Sequence, residues 1–427
     1  MRSIATKLTA LVSCLLISGA GAVFADEGAI TAMQDQIHAL NQQLAAVEKK
    51  MATMGGKPMQ MPRVEGMSPE GGLFKTAKDI KVGGHIDVQY NQNLTARNNA
   101  VAGGNVGRIF DTDRGSFTVN QVELNFEREA NPDGGAGFRI DLAMGEDAGV
   151  VAADGFAADN VDVQQAYIEY VQPLSFFEDS EYLPSTITVT AGRFVTLAGL
   201  EVIEPQDNWN ISRTFAFGTT IPFVHTGVRV NFGLWNDYFD VTIGAVNGWG
   251  LPVDNNTGKT FESGIGYSPL ENVSMYHTFY FGNENADTGP GTGGTRFLNT
   301  NAIHYDYSDK LAFMGEANFG REARASAVTA SNVSWYSLAG YARYQVDEKN
   351  AVAARYEWVH DEKQFLGNRA TTVQSYTLTY ERQLADDLIG RAEYRLDHAS
   401  GSSGAARGFA SDASQQTLGF EMIYIIG

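Results

Sequence analysis

The chain nearly closes on TLGFEMIYII, residues 417–426, with Leu418, Phe420, Met422, Tyr424 and Ile426 on one parity and Thr417, Gly419 and Glu421 on the other. Successive strand side chains point to opposite faces, so this stretch has one wholly apolar face and one mainly polar face. Ten such residues suit the edge of a soluble sandwich as well as a strand that turns its apolar side to lipid. The choice between the two depends on the rest of the chain.

Upstream the same theme recurs. Sixteen strand-like runs follow one another from 79–95 to 414–426, among them 116–128, 224–234 and 273–283. FRIDLAM sets Phe138, Ile140, Leu142 and Met144 against Arg139 and Asp141. GRAEYRLDH sets Ala392, Tyr394 and Leu396 against Arg391, Glu393, Arg395 and Asp397. Short turns (ANPDGG, WNDY, PLEN, SDK, DEKN, LADD) alternate with long polar segments such as RNNAVAGGNVGRIFDTDRG and GNENADTGPGTGG. Short turns at one end and long loops at the other are the habit of an outer-membrane barrel. An even strand number lets the last strand close the sheet against the first and leaves no edge.

Composition agrees. Apolar residues make up 43% of the 427, with 24 Phe, 18 Tyr and 46 Gly, yet no segment after the leader approaches the roughly 18 continuous apolar residues of a spanning helix. Residues 1–25 have the layout of a signal peptide: Arg2 and Lys7, an apolar run, then Val23-Phe24-Ala25 before Asp26. Cys14, the single cysteine, lies inside that run, so export removes every thiol and with it any disulfide or cysteine metal site. The formal net charge of −19 becomes −21 once the leader's two cations, Arg2 and Lys7, are gone. Such a chain offers nothing to nucleic acid or an anionic lipid surface.

Residues 26–56 hold a heptad seam, with Ile30, Met33, Ile37, Leu40, Leu44, Val47, Met51 and Met54 alternating spacings of three and four before Gly55-Gly56. A periplasmic coiled coil is the natural reading, compatible with a homotrimer, and one amphipathic helix on its own domain is the alternative. Residues 57–78 carry Pro, Gly and Met without period and read as a linker; 79–427 form the barrel.

RIFDTDRGSFTVNQVELNFER, VQQAYIEYV, GRFVTLAGLEVIEPQDNWNISRTFAFG, IPFVHTGVR, VNGW and GYARYQ resemble the β-barrel porin-2 family, the OmpL-like porins, over about residues 79–427. Thr417, Gly419, Met422 and Tyr424 are also similar to the C-terminal assembly signal of outer-membrane barrels, although the chain ends on Ile425-Ile426-Gly427 rather than on an aromatic residue. The resemblance implies a general or weakly selective diffusion pore in the bacterial outer membrane, without catalytic residues, metal or cofactor. Its partners would be outer-membrane lipid and small hydrophilic solutes or ions. A substrate-specific channel, or a structural protein that tethers the envelope through its coiled coil, is the alternative.

For a pore the chemistry lies in the lining, so the polar parity supplies the candidate residues. They are Arg139, Asp141, Glu169, Arg229, Asp240, Glu316, Arg343, Arg355, Glu357, Glu381, Arg391, Glu393, Arg395 and Asp397, all expected to meet lumen water. Residues 197–223 are the longest connection and interleave apolar anchors with Glu201, Glu204, Asp207 and Arg213. That mixture reads as a constriction loop folded into the barrel, with an extracellular lid as the alternative. Arg343, Arg355, Arg391 and Arg395 are expected to face the loop across the pore. An arginine is expected to be tolerated better at 421 than at 420. DTDRG (111–115) and DNNTGK (254–259) place oxygens at alternate positions but lack a full calcium ligand set. No Ser stands in GRFVTLAGLE to make a nucleophile elbow, and the seven histidines show no zinc spacing, so no enzyme is read here.

Overall fold

The computed structural model describes residues 79–95, 104–152, 160–175, 180–235, 237–286, 293–324, 331–362, 372–400, 409 and 413–427. The expected leader, coiled-coil helix and linker lie outside the described residues.

Sixteen strands follow in chain order. They are β1 (Lys81–Asn93), β2 (Ser116–Arg128), β3 (Gly135–Met144), β4 (Val161–Pro173), β5 (Thr186–Val195), β6 (Val224–Leu234), β7 (Phe239–Val246) and β8 (Thr260–Leu270). The second half comprises β9 (Val273–Asn283), β10 (Thr295–Ser308), β11 (Leu311–Glu322), β12 (Val333–Gln345), β13 (Asn350–Asp361), β14 (Thr372–Ala385), β15 (Leu388–Ser400) and β16 (Ser414–Ile426). Each pairs antiparallel with its sequence neighbours, and β1 pairs with β16 to close the barrel. Across the closure Val88 faces Met422 and Tyr90 faces Phe420, so apolar residues meet on the outer face. One slip of register would put Glu421 on that face.

The parity read from sequence separates the two faces. Ile168, Phe279, Leu378, Phe420 and Met422 are exposed on the outside, as a lipid-facing belt requires. Tyr344, Tyr380 and Tyr424 stand near the turn ends of β12, β14 and β16, where aromatic side chains mark the interface. At the turn end strands are joined by 129–134, 235–238, 271–272, 309–310, 346–349 and 386–387, with one longer link, 174–185. The other end carries the longest connections, 94–115, 145–160 and 196–223 among them. Bulges in β1–β2 at Asp87/Val88 and in β3–β4 at Asp141/Leu142 add local twist.

Two of the long connections have structure that turns inward. A short helix, α1 (Glu146–Val151), follows Gly145, whose φ of 109° suits only glycine and whose Cβ would lie 2.6 Å from the Asn120 carbonyl oxygen. The β5–β6 loop, 196–223, contains a 3₁₀ turn at Pro205–Asp207 and a π turn at Ala216–Thr220. With Phe110 of the β1–β2 loop and Val151 of α1, its Ala198, Ile203, Phe217 and Ile221 form an apolar cluster against Tyr280 and Leu298 of the wall.

Candidate functional site: the barrel interior and its inserted loop

The 196–223 loop lies inside the barrel, held by wall side chains from β4 and from β11 to β15. Glu393 on β15 accepts from the Ile211 and Ser212 backbone N–H groups at 2.8 and 3.1 Å, from the Ser212 hydroxyl, and from Thr379 of β14 at 2.8 Å. From the same stretch of wall Arg355 donates to the Ser212 carbonyl at 2.5 Å and Arg395 to the Arg213 carbonyl at 2.6 Å. Glu357 accepts from the Ala216 N–H at 2.7 Å and Glu316 from the Leu200 N–H at 2.7 Å. Trp335 gives its indole N–H to the Thr220 carbonyl at 3.1 Å. Across the lumen, Gln164 on β4 donates to Glu204 at 3.0 Å. Ionised groups meeting backbone polar atoms in a dry interior make strong, directional bonds.

This geometry divides the expected lining. Glu316, Arg355, Glu357, Arg391, Glu393, Arg395 and Asp397 are buried beneath the inserted loops rather than open to lumen water. Arg355 pairs with the loop's Glu201 at 2.6 Å, and Arg391 donates to the Pro205 carbonyl at 2.9 Å. Arg355, Arg391 and Arg395 therefore do not face the loop across a pore; they hold it against the wall. Arg343 lies lower and joins Glu381 at 2.7 Å, and Glu381 also meets Arg391, which continues to Glu421 at 3.0 Å.

Toward the turn end the interior opens. Arg139 reaches Asp141 at 2.9 Å, although Asp141 itself is buried rather than open to lumen water. Nearer the long-loop end Arg229 reaches the buried Glu262 at 2.6 Å while its guanidinium stacks 3.8 Å from the Phe194 ring centre. Glu169 is half-buried, and Asp240 is exposed and accepts from Asn231. A cavity of about 350 Å³ opens at this end between Asn125, Glu127, Arg139 and the β1 and β16 termini. On the loop, Glu204 is half-buried and Asp207 exposed, while Arg213 spends its guanidinium on the carbonyls of Val202, Ile203 and Ile211.

Sequence reasoning missed Arg108, which pairs with Asp397 at 2.7 Å and Asp111 at 2.5 Å inside the long-loop end. Nothing in an irregular loop marks a residue as inward. Glu421, Asp87 and Glu123 are buried interior acids that parity alone would have placed. The oxygens of the two calcium-like fragments have other employment: Asp111 binds Arg108, and Asp254 caps the Asn256 N–H at 2.9 Å and pairs with Lys259.

Comparison with known proteins agrees with this architecture. Residues 79–426 match the family described as "Putative beta-barrel porin-2, OmpL-like". No curated protein matches the chain. Among solved structures, the outer membrane channel DcaP of Acinetobacter baumannii aligns with a TM-score of 0.53 and 11% identity, covering 81% of this chain and 96% of that one. An anion-selective porin from Comamonas acidovorans gives 0.52 and 10%, over 81% and 99%. The trimer form of OmpT from Vibrio cholerae gives 0.52 and 12%, over 81% and 98%. At such identities the likeness concerns the fold alone, and the family match carries the assignment: the chain belongs to the OmpL-like β-barrel porin-2 family, a porin-type channel fold of the bacterial outer membrane.

Proposed function

We propose that the protein forms a water-filled outer-membrane channel for small hydrophilic solutes and ions, weakly favouring cations, with the 197–223 loop as its constriction. The observation that carries the selectivity is an imbalance of pairing. The interior arginines 108, 139, 229, 343, 355, 391 and 395 each meet a carboxylate. Arg213 of the loop, which donates only to carbonyl oxygens, is one cation to set against the acids that follow. Glu127, Glu169, Glu204, Asp207 and Asp240 take part in no ion pair among the described residues. Paired charges cancel at the distance of a passing ion, and unpaired acids in a narrow, low-dielectric passage attract cations. Long loops facing outward and short turns facing the periplasm give the orientation. The heptad seam of 26–56 supports a homotrimer, with the coiled coil in the periplasm.

Reversal potentials across a KCl gradient in planar bilayers test the reading. Glu204→Gln with Asp207→Asn should move the potential toward anions, and shortening 205–210 should raise conductance. Neutralising Glu201 as well would strand Arg355 and is left out. Anion preference in the unaltered protein, or no shift in the double variant, would refute the proposal.

A further inference from the structure

The long-loop half of the barrel is filled, and its filling has two differently anchored parts. Interior side chains there, such as Asn120, His225, Leu298, Trp335 and Asp397, are all buried. One part is the 196–223 loop, pinned at Leu200, Gly-free positions 210–216 and Thr220 by wall groups on β11 to β15. The other is the segment 104–115 with α1, and its polar ties are few. Arg108 reaches Asp397 and the Thr417 hydroxyl at 2.7 and 3.0 Å, Gln415 exchanges two 3.1 Å bonds with the Val106 backbone, Asn105 meets Asn93 at 3.0 Å, and Asn120 meets Asp147 of α1 at 3.3 Å. Its seat is otherwise mainly apolar: Phe110 packs on Phe217 and Phe223, with ring centres 5.7 and 5.6 Å apart, Val151 joins the same cluster, and the Arg213 guanidinium lies 5.8 Å from the Phe110 ring centre.

We infer that residues 104–115 with α1 form a displaceable plug seated on the fixed 196–223 loop, so that the channel opens when Phe110 leaves its aromatic seat while the constriction stays in place. This rests on the channel reading above. The anchoring decides which part moves. Freeing the inner loop strands buried carboxylates and guanidiniums on three strands, β11, β13 and β15, whereas lifting the plug exposes an apolar patch and chiefly one arginine–aspartate pair. A closed and an open population then differ by the seating of a single aromatic cluster, a balance that one substitution can tip.

Single-channel recording tests this. Phe110→Ser, checked for barrel formation by heat-modifiable gel mobility, should raise the open probability at least fivefold with little change in unitary conductance. Conversely, Asn93→Cys with Asn105→Cys, bridged by a short bis-thiosulfonate, should hold the channel shut until a reductant releases it. Equal open probability in the unaltered, Phe110→Ser and bridged proteins would overturn the plug and leave the channel reading standing. Silence in every form, including the one with the shortened 205–210 loop, would overturn the channel reading and the plug with it.

Discussion

Glu393→Gln isolates the grip of the wall on the inner loop. One carboxylate oxygen takes the Ile211 N–H and the Thr379 hydroxyl at 2.8 Å each, and the other takes the Ser212 N–H at 3.1 Å and the Ser212 hydroxyl. Glutamine keeps the shape but turns one of these acceptors into an NH₂ donor that faces two donors. The hydroxyl can rotate away; the backbone N–H cannot. At least one buried N–H is therefore stranded, worth about 1–3 kcal/mol, and the loss of charge-assisted strength in the remaining bonds brings the total to roughly 2–4 kcal/mol. That energy holds the loop and not the strand ladder, so barrel closure should survive while residues 205–215 become open to limited proteolysis in detergent. Mass mapping of the fragments is the readout. A barrel that melts as a whole with no new cleavage in 205–215, or an unchanged protease pattern, would refute the assignment of Glu393 as the loop's anchor.

Three further outcomes are expected. Phe420→Arg puts a charge on the lipid face and should cost about 2–4 kcal/mol; Glu421→Arg should cost at least as much, because Glu421 is buried and bonded to Arg391 at 3.0 Å and to Gln89 at 3.1 Å, and urea unfolding in lipid vesicles ranks the two. Light scattering in detergent should give a trimer for the intact protein and smaller species for a chain beginning at residue 57; monomers in both cases would sink the coiled-coil proposal. Open probability should fall as the pH drops below about 7, because burial raises the Asp147 carboxyl to about 7 from its ordinary 3.8 in the seated plug, where it faces Asn120 of β2, Arg213, Asp111, Glu421 and Asp87; seating takes up a proton between those two values, so each unit of acidification across that window favours closure up to tenfold, and a flat profile from pH 8 to 5 removes Asp147 from the seat.

The barrel was legible because lipid imposes the same demand on every strand. Each of the sixteen must offer an apolar parity outward, and each reversal needs a turn, so 116–128, 224–234, 273–283 and 414–426 read from sequence coincide with β2, β6, β9 and β16. Bounds elsewhere differ by one to a few residues: β14 and β15 run on to Ala385 and Ser400, and β1 and β7 are shorter than the runs read from sequence. The buried setting of Glu421 removes the ground for expecting arginine to be tolerated better at 421 than at 420, for an instructive reason. Parity says that Glu421 points inward, and an inward side chain in a wide aqueous pore is easily changed. Here it points into a packed interior.

That packing is what parity cannot reach. Whether an inward arginine meets water or a carbonyl depends on which loop returns across the lumen, and the deciding contacts join residues far apart in sequence, Glu201 with Arg355 and Ser212 with Glu393 among them. The composition held a trace of the answer. A lumen open along its length has no need of Phe110, Phe215, Phe217 and Ile221 in loops at the polar end of a barrel, and all four are buried. Apolar anchors explain why the loops fold inward, since there is no lipid at that level to receive them. The charged groups beside them explain why they fold in one way. An unpaired charge in a dry interior is costly, and Glu357, Glu393, Arg355 and Arg395 find partners among loop backbone and side-chain atoms only when residues 210–216 sit where they do. Each pair is individually weak evidence for stability, yet together they fix a register between loop and wall. If the loop is the constriction proposed above, β13 and β15 set the width of the passage, so substitutions there should alter permeation as strongly as substitutions in the loop itself.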